Sequence, residues 1–317
     1  MPIFPKPKFP FVFDVATEVA NLRQWKAHRQ VPAKEQDRVL VATWNIANFG
    51  AQQREDRHNR LIAEMLSWFD IAAIQEVREN FSNLEDVVRH MGSTYRMLFS
   101  DPAGNNERMA FVYDSAKLTL LEEIGEIAFP AAQLKSIKLP GVKQPFEGFD
   151  RTPYLAAFQG GHTSFVFVNA HLFYGSEKPA DVQRRSLETF AVAKWAQARR
   201  KSKFSFAREL FAMGDFNMPK NAKGDPVFDA LTKLGLELPA HSSGIGSNLE
   251  SDKHYDQIAY FPAESKNLLD GATGIFDYDA AIFPALWNNG QGKKNFDAYL
   301  RYYISDHRLM WIRLKPE

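Results

Sequence analysis

The polar side chains that could carry chemistry in this sequence stand at the ends of apolar runs. Asn45 closes the run that begins at Val39, and Glu76 closes Ile71-Ala-Ala-Ile-Gln-Glu76. Glu107 and Arg108 precede Met109, Arg151 precedes Pro153, and His171 lies late in Asn169-Ala-His-Leu172. Asp215 and Asn217 follow the run Leu210 to Met213 across Gly214. Asp256 lies in His254-Tyr-Asp-Gln-Ile258, and Asp306 and His307 precede the last run, Leu309 to Leu314. These are oxygen and imidazole donors without sulfur, since the chain has no cysteine. Such a set suits a hard divalent cation, Mg²⁺ first, with Mn²⁺ or Ca²⁺ as alternatives. Two histidines among spare carboxylates also supply acid and base near neutral pH. Each residue has a structural explanation too: Asp215 and Asn217 as turn formers, Glu76 as a strand end, His171 as a core histidine, Asp256 as a buried anchor, Asp306 as a cap. Their recurrence at one kind of position argues for a single site.

The elements that must hold them follow from periodicity. Apolar runs predict strands at Val39 to Ile46, Ile71 to Glu76, Tyr95 to Phe99, Met109 to Asp114, Leu118 to Ile124, Leu210 to Met213, His254 to Phe261 and Leu309 to Leu314. Gly160-Gly161 reads as the turn of a hairpin joining Pro153–Phe158 to Thr163–Leu172. Helical spacing predicts Val15 to Gln30, Arg54 to Phe69, Ser82 to Met91, Asp181 to Arg200 and Pro226 to Leu234. Pro130 to Arg151, residues 241–252 and Gly290 to Lys294 read as loops. Strands mixed with helices, and no composition break after residue 38, predict one α/β domain over 39–317. Residues 1–38, a Pro-rich start followed by a helix, are an extension packed on it.

Composition narrows the function classes. With 317 residues, 45% of them hydrophobic, the chain can bury a large core. Its net charge of +1 gives no global attraction to a polyanion, so nucleic-acid binding must come from local basic groups. Lacking cysteine, it has no disulfide and no thiol nucleophile. No apolar run approaches the roughly 20 residues of a membrane span, and the N-terminal apolar stretch is too short for a secretory signal. The expected location is the cytoplasm, and a monomer is the expected form. The basic run Arg199 to Lys203 reads as a helix C-terminus complementing the dipole or as a nucleic-acid contact.

Trp44-Asn45-Ile46, Ile74-Gln75-Glu76, Gly214-Asp215-Phe216-Asn217, Tyr255-Asp256-Gln257-Ile258 and Ser305-Asp306-His307 occur in the order and approximate spacing of the endonuclease/exonuclease/phosphatase superfamily, which the chain resembles over about residues 39–317. The resemblance implies a four-layer αββα sandwich, two packed mixed sheets flanked by helices, with the site where strand ends meet. It implies metal-site roles for Asn45, Glu76 and Asp306, and a water- and phosphate-handling pair in Asp215 and Asn217. His307 is then oriented by Asp256. Glu107 with His171 resembles the second carboxylate–histidine pair of the pancreatic-type deoxyribonuclease branch, and Arg151 a phosphate-contacting arginine of that branch. The chain departs from the branch in lacking a disulfide and in carrying Asn105 where a DNA-stacking tyrosine is expected.

The expected reaction is metal-dependent hydrolysis of a phosphodiester in nucleic acid, DNA before RNA, by an endonuclease. Arg108, Arg151, Lys293, Lys294 and the arginines between Arg54 and Arg60 are the candidate phosphate contacts. Which histidine is the acid stays open. The first alternative is a phospholipid or inositol-phosphate phosphoesterase; a sphingomyelinase-like enzyme would display an exposed aromatic hairpin, for which Phe276 to Trp287 has the composition. A catalytically silent binding module is the other.

Overall fold

Alternate residues of each strand serve different cores, and this parity builds the molecule. The strands, in chain order, are Val39–Phe49 (β1), Ile71–Val77 (β2), Tyr95–Phe99 (β3), Arg108–Asp114 (β4), Thr119–Glu126 (β5), Tyr154–Gly160 (β6), Thr163–His171 (β7), Glu209–Asp215 (β8), Asp256–Tyr260 (β9), Leu269–Phe276 (β10) and Leu309–Leu314 (β11). The helices are Val15–His28 (α1), Asp56–Leu66 (α2), Ser82–Met91 (α3), Ala131–Leu134 (α4), Pro179–Lys201 (α5), Pro226–Thr232 (α6), Pro262–Ser265 (α7), Pro284–Trp287 (α8) and Gly292–Tyr303 (α9). The computed structural model describes residues 3–241, 243–288 and 292–317. Met1, Pro2, Ser242, Gly290 and Gln291, which fall in the expected extension and loops, lie outside the described residues.

Six strands form one mixed sheet in the order β10-β11-β1-β2-β4-β3, and five form a second in the order β5-β6-β7-β8-β9. Val39 and Val41 of β1, Ile71 and Ala73 of β2, Phe165 and Phe167 of β7, and Phe211 and Met213 of β8 fill the layer between the sheets. Their neighbours point the other way. Leu40, Ala42 and Trp44 pack with Leu61, Leu66, Val87 and Leu300 of the helices covering the first sheet. Val166, Val168, Leu210 and Ala212 pack with Val192, Ala196 and Leu231 of α5 and α6 over the second. The result is the four-layer αββα sandwich. Burying one such large side chain contributes about 1.5–3 kcal/mol, and both faces of the central strands do so at once.

Toward the strand ends that carry the site, the inter-sheet layer turns polar. Gln75 Nε2 donates to Asn169 Oδ1 (2.7 Å) and Thr43 Oγ1 (3.1 Å), while Asn169 Nδ2 donates to the carbonyls of Ile74 and Ala110. These bonds tie the sheets together at the floor of the site, where a slip of either would leave buried amides unpaired. Strands β7 and β8 run parallel, and Gly214 (φ 134°) makes their closest approach possible. A Cβ there would lie 1.9 Å from the Ala170 carbonyl oxygen.

The chain before β1 is strapped to the first sheet's helix layer. Glu18 accepts from the Phe283 N–H (2.9 Å), Trp25 Nε1 donates to Asp277 (2.8 Å), and Arg29 pairs with the same carboxylate. Four elements, α7, β10, α8 and α9, occupy the stretch between β9 and β11, where no strand or helix is predicted, and the described part of the loop expected at Gly290 to Lys294, Gly292 to Lys294, begins α9. The Pro-rich segment Pro130 to Arg151 also contains the short α4. From Phe276 to Trp287, Phe276, Tyr278, Ile282, Phe283 and Leu286 are buried and only Trp287 among the large side chains is exposed, so the segment is core and not an exposed aromatic hairpin.

Candidate active site

The inter-sheet parity that buries Val41, Phe111, Phe167, Met213 and Ile258 continues, at the strand ends, onto Asn45, Glu107, His171, Asp215 and Asp256. Glu76 would fall on the opposite parity from Ala73. A register shift between β2 and β4 and a left-handed backbone at Glu76 (φ 61°) re-aim its side chain. Oε1 then accepts from Asn45 Nδ2 (3.1 Å) and Oε2 from the Asn48 N–H (2.8 Å). Ser305 fixes the last motif: its Oγ donates to the Asn45 carbonyl (2.6 Å) and accepts from the His307 N–H (3.0 Å), while Trp44 Nε1 donates to the His307 carbonyl.

These elements bring two imidazole–carboxylate pairs onto one buried carboxylate. His307 Nδ1 lies 2.8 Å from Asp256 Oδ2, and its Nε2 lies 3.8 Å from Asp215 Oδ2. His171 Nδ1 lies 3.1 Å from Glu107 Oε2, and its Nε2 lies 3.6 Å from the same Asp215 oxygen. Asp215 Oδ2 also accepts from Asn45 Nδ2 (3.0 Å), and its Oδ1 accepts from the Asn217 N–H (2.8 Å). Asn217, itself left-handed (φ 51°), donates from Nδ2 to the Leu172 carbonyl (2.8 Å). Above this floor opens a cleft of about 600 Å³ lined by His171, Asn217, Asp306 and His307, with Tyr174, Tyr255 and Arg301 on its walls.

The charges in the site act on each other strongly. Burial opposes ionisation of Asp215, yet the neighbouring His307 and His171 hold its carboxyl below the ordinary range. Burial pushes Asp256 up to about 6, against the pull of His307. His307 would lose its proton on burial alone, but Asp256 and Asp215 keep its pKa well above the usual imidazole value. Glu107 is buried, and His171 and Arg151 outweigh that cost to hold it well below the usual carboxylate range. Burial, with Glu76 nearby, raises Asp306.

Asn45, Glu76 and Asp306 fit a hard cation. Asn45 Oδ1 and Asp306 Oδ1 are buried acceptors with no hydrogen-bond donor among the described residues, a state that costs free energy unless something fills it. A divalent ion there would also relieve the repulsion between Asp306 and Glu76. By distance alone, Glu76, Glu107 and His171 form one compact set and Asp215, Asp256 and His307 another. In the second, the proton that two carboxylates hold on His307 competes with metal, so it is better described as an ion-pair network.

The structure separates the two arginines. Arg151 is buried beside Glu107 (3.7 Å) and lines the cleft, but its donors go to the carbonyls of His171 (2.9 Å) and Leu172 (2.7 Å) and to Asp150. Arg108 has the opposite parity to Glu107; it donates to the Ser100 carbonyl (2.7 Å) and lies over the rings of Phe81 and Phe99, outside the cleft. Arg54 is buried among the carbonyls of Ala47, Tyr303 and Ile304, with its pKa lowered by burial to about 9. Arg57 and Arg60 pair with Glu55 and Asp56, and Lys293 with Asp297. Arg199 and Arg200 pair with Glu123 and Glu264. Sequence reasoning missed Arg78, whose Nη2 lies 3.1 Å from Glu107 and donates to Asn48 Oδ1 (2.7 Å). Its position two residues past Glu76, in the same strand end, was the available signal. It also missed Tyr174 and Tyr255, an edge-to-face pair at 6.1 Å, and Arg301 of α9.

No protein-family model matches the chain. Over 93 residues it is 31% identical to Deoxyribonuclease-1 of Equus caballus; this covers 26% of the chain and 33% of that protein, so the chain spans about a third of the curated relative it matches. Among solved structures, an endonuclease/exonuclease/phosphatase family protein from Bacteroides thetaiotaomicron superposes with a TM-score of 0.55 at 17% identity, over 87% of this chain and 97% of that one. D. rerio TDP2 complexed with single strand DNA product superposes with a TM-score of 0.58 at 12% identity, over 88% and 99%.

Proposed function

Because the chain has the fold of the endonuclease/exonuclease/phosphatase proteins, we propose that it is a divalent-metal-dependent phosphodiesterase acting on nucleic acid, and specifically a DNA endonuclease. The observation that carries this reading is the convergence of the His307–Asp256 and His171–Glu107 pairs on Asp215, at 3.8 and 3.6 Å, under one cleft. Hydrolysis of a diester needs a proton acceptor for water, charge for the phosphoryl oxygens, and a proton for the departing alkoxide. The site has a candidate for each.

Asn45, Glu76 and Asp306 would hold the cation, which would supply charge neutralisation at the phosphate. Asp215, kept ionised by its two histidines, takes the proton of the attacking water, with Asn217 beside it to orient that water. His307 remains a cation because two carboxylates face it, so it is suited to a non-bridging phosphoryl oxygen and not to the base role. His171, oriented by Glu107, gives its Nε2 proton to the leaving oxygen. Acid–base assistance of this kind contributes about 10²–10⁴-fold.

Tyr174 and Tyr255 offer aromatic faces in the cleft, to which an unpaired base can stack for about 1–3 kcal/mol. The horse deoxyribonuclease and the DNA-product complex of D. rerio TDP2 lend support of the same kind. In the Phe276 to Trp287 segment every large apolar side chain but Trp287 is buried, which removes the feature that favoured a sphingomyelinase-like reading. The test is nicking of supercoiled plasmid in Mg²⁺, Mn²⁺ and EDTA, run beside sphingomyelin and phosphoinositide turnover. Metal-dependent nicking without lipid turnover is expected. Turnover of a lipid or inositol phosphate alone would replace the reading, and turnover of nothing would favour a binding module.

A further inference from the structure

Residues 3–14 carry a motif that the site does not absorb: Phe4-Pro-Lys-Pro-Lys-Phe-Pro-Phe-Val-Phe13. The rings pin this arm at both ends. Phe9 and Phe11 pack on Tyr299 of α9 at 6.3 and 5.1 Å, and Phe13 packs on Phe283 at 4.8 Å. At the other end Phe4 lies under the Arg301 guanidinium, 5.8 Å from ring centre to Cζ, within the range of a cation–π contact. Arg301 lines the cleft.

Lys6 and Lys8 sit between these anchors, exposed. An extended backbone advances about 3.1 Å per residue, so Lys6 starts roughly 6 Å from the residue that touches the cleft wall. Pro5, Pro7 and Pro10 restrict the arm, so little ordering entropy is lost when a ligand meets it. The cations already at this rim are engaged: Arg301 pairs with Glu250 and lies 3.9 Å from Asp306, and Arg151 is tied to backbone carbonyls. Beside Arg301 the rim thus carries two acidic residues, Glu250 and Asp306, while Lys6 and Lys8 on the adjoining arm are exposed.

We propose that the arm is a second phosphate-binding element, in which Lys6 and Lys8 take backbone phosphates of a nucleic-acid strand that exits the cleft beside Arg301. This rests on the nuclease reading and extends it: the substrate is a strand several nucleotides long, not a single diester.

Three variants test it: Lys6→Ala/Lys8→Ala, Lys6→Glu/Lys8→Glu, and Phe4→Ala, which frees the arm and keeps both lysines. Steady-state kinetics are measured on a long duplex across a salt series and on bis(p-nitrophenyl) phosphate, which cannot reach the arm. With the duplex, the alanine pair is expected to raise KM several-fold and the glutamate pair more than tenfold, with kcat within twofold. The log–log salt dependence of the alanine pair falls by about 1.8, roughly 0.9 per phosphate contact. Phe4→Ala raises KM in the same direction, and kcat/KM on the small diester falls less than twofold throughout. If the wild-type protein cleaves the duplex and the lysine variants keep its KM and salt slope, the arm is not a binding element and the nuclease reading stands. Equal losses on both substrates would make the arm a scaffold only. Should the wild type turn over the small diester but no nucleic acid, both ideas fail.

Discussion

The two imidazole–carboxylate pairs look alike in sequence and differ in their surroundings. Asp256 faces His307 at 2.8 Å, and no guanidinium comes within 4 Å of it among the described residues. Glu107 is shared by His171 at 3.1 Å, Arg78 at 3.1 Å and Arg151 at 3.7 Å. Glu107 therefore orients His171 while also pairing with two guanidiniums, whereas Asp256 is dedicated to His307 and, with Asp215, keeps it charged. Placement in the fold follows the same division. His307 leads into a strand of the first sheet and Asp256 begins one of the second, so that pair spans the sandwich. Glu107, just before β4, likewise reaches across to His171 on β7, but Arg78 and Arg151 also pair with it.

The largest effect that can break this comparison is at His307. His307→Ala is expected to lower metal-dependent hydrolysis by about 10³-fold on every diester, whatever its leaving group, because its charge acts on the phosphoryl oxygens; rates near wild type would refute the assignment. His171→Ala should cost about 10²-fold on DNA and almost nothing on bis(p-nitrophenyl) phosphate, whose nitrophenolate departs without a proton. Equal losses on the two substrates would take His171 away from the leaving group. Glu107→Gln should cost less again, about tenfold, since Arg78 and Arg151 still brace the loop; a loss as large as that of His171→Ala would mean that the carboxylate's charge matters more than the frame around it.

The smallest effect is on stability. The pKa of His307 is raised above its unfolded value, so its ion pairs contribute fully below about pH 6.5 and their contribution is lost as pH rises through the raised folded value. The gap in melting temperature between wild type and His307→Gln should therefore be widest in mildly acidic buffer and narrow on the alkaline side. A gap that widens with pH would mean that His307 is buried neutral.

Much of this site could be read from strand parity. Asn45, Glu107, His171, Asp215 and Asp256 share the parity of the apolar residues that fill the inter-sheet layer, and the sequence shows those residues directly. Arg108, expected to contact phosphate, alternates with Glu107 and Met109 and so faces away from the site. Glu76 defeats parity because its left-handed backbone turns the side chain, and no pattern of apolar residues records a bulge. The stretch before the final strand was the least legible. Helix α9 is rich in aromatic residues that favour strands, although Phe296, Tyr299, Leu300 and Tyr303 do keep helical spacing. Missing it hid Arg301 and with it one wall of the cleft.

Both histidines converge on Asp215, and Asp215→Asn with Mg²⁺ in the plasmid-nicking assay is the sharpest test of its role. The side chain keeps its size, and Asn45, Glu76 and Asp306 are untouched, so calorimetry should still show divalent-ion binding while nicking falls at least a thousandfold, the order expected when an acid–base group is removed. Nicking within tenfold of wild type, with the protein folded and metal bound, would contradict it.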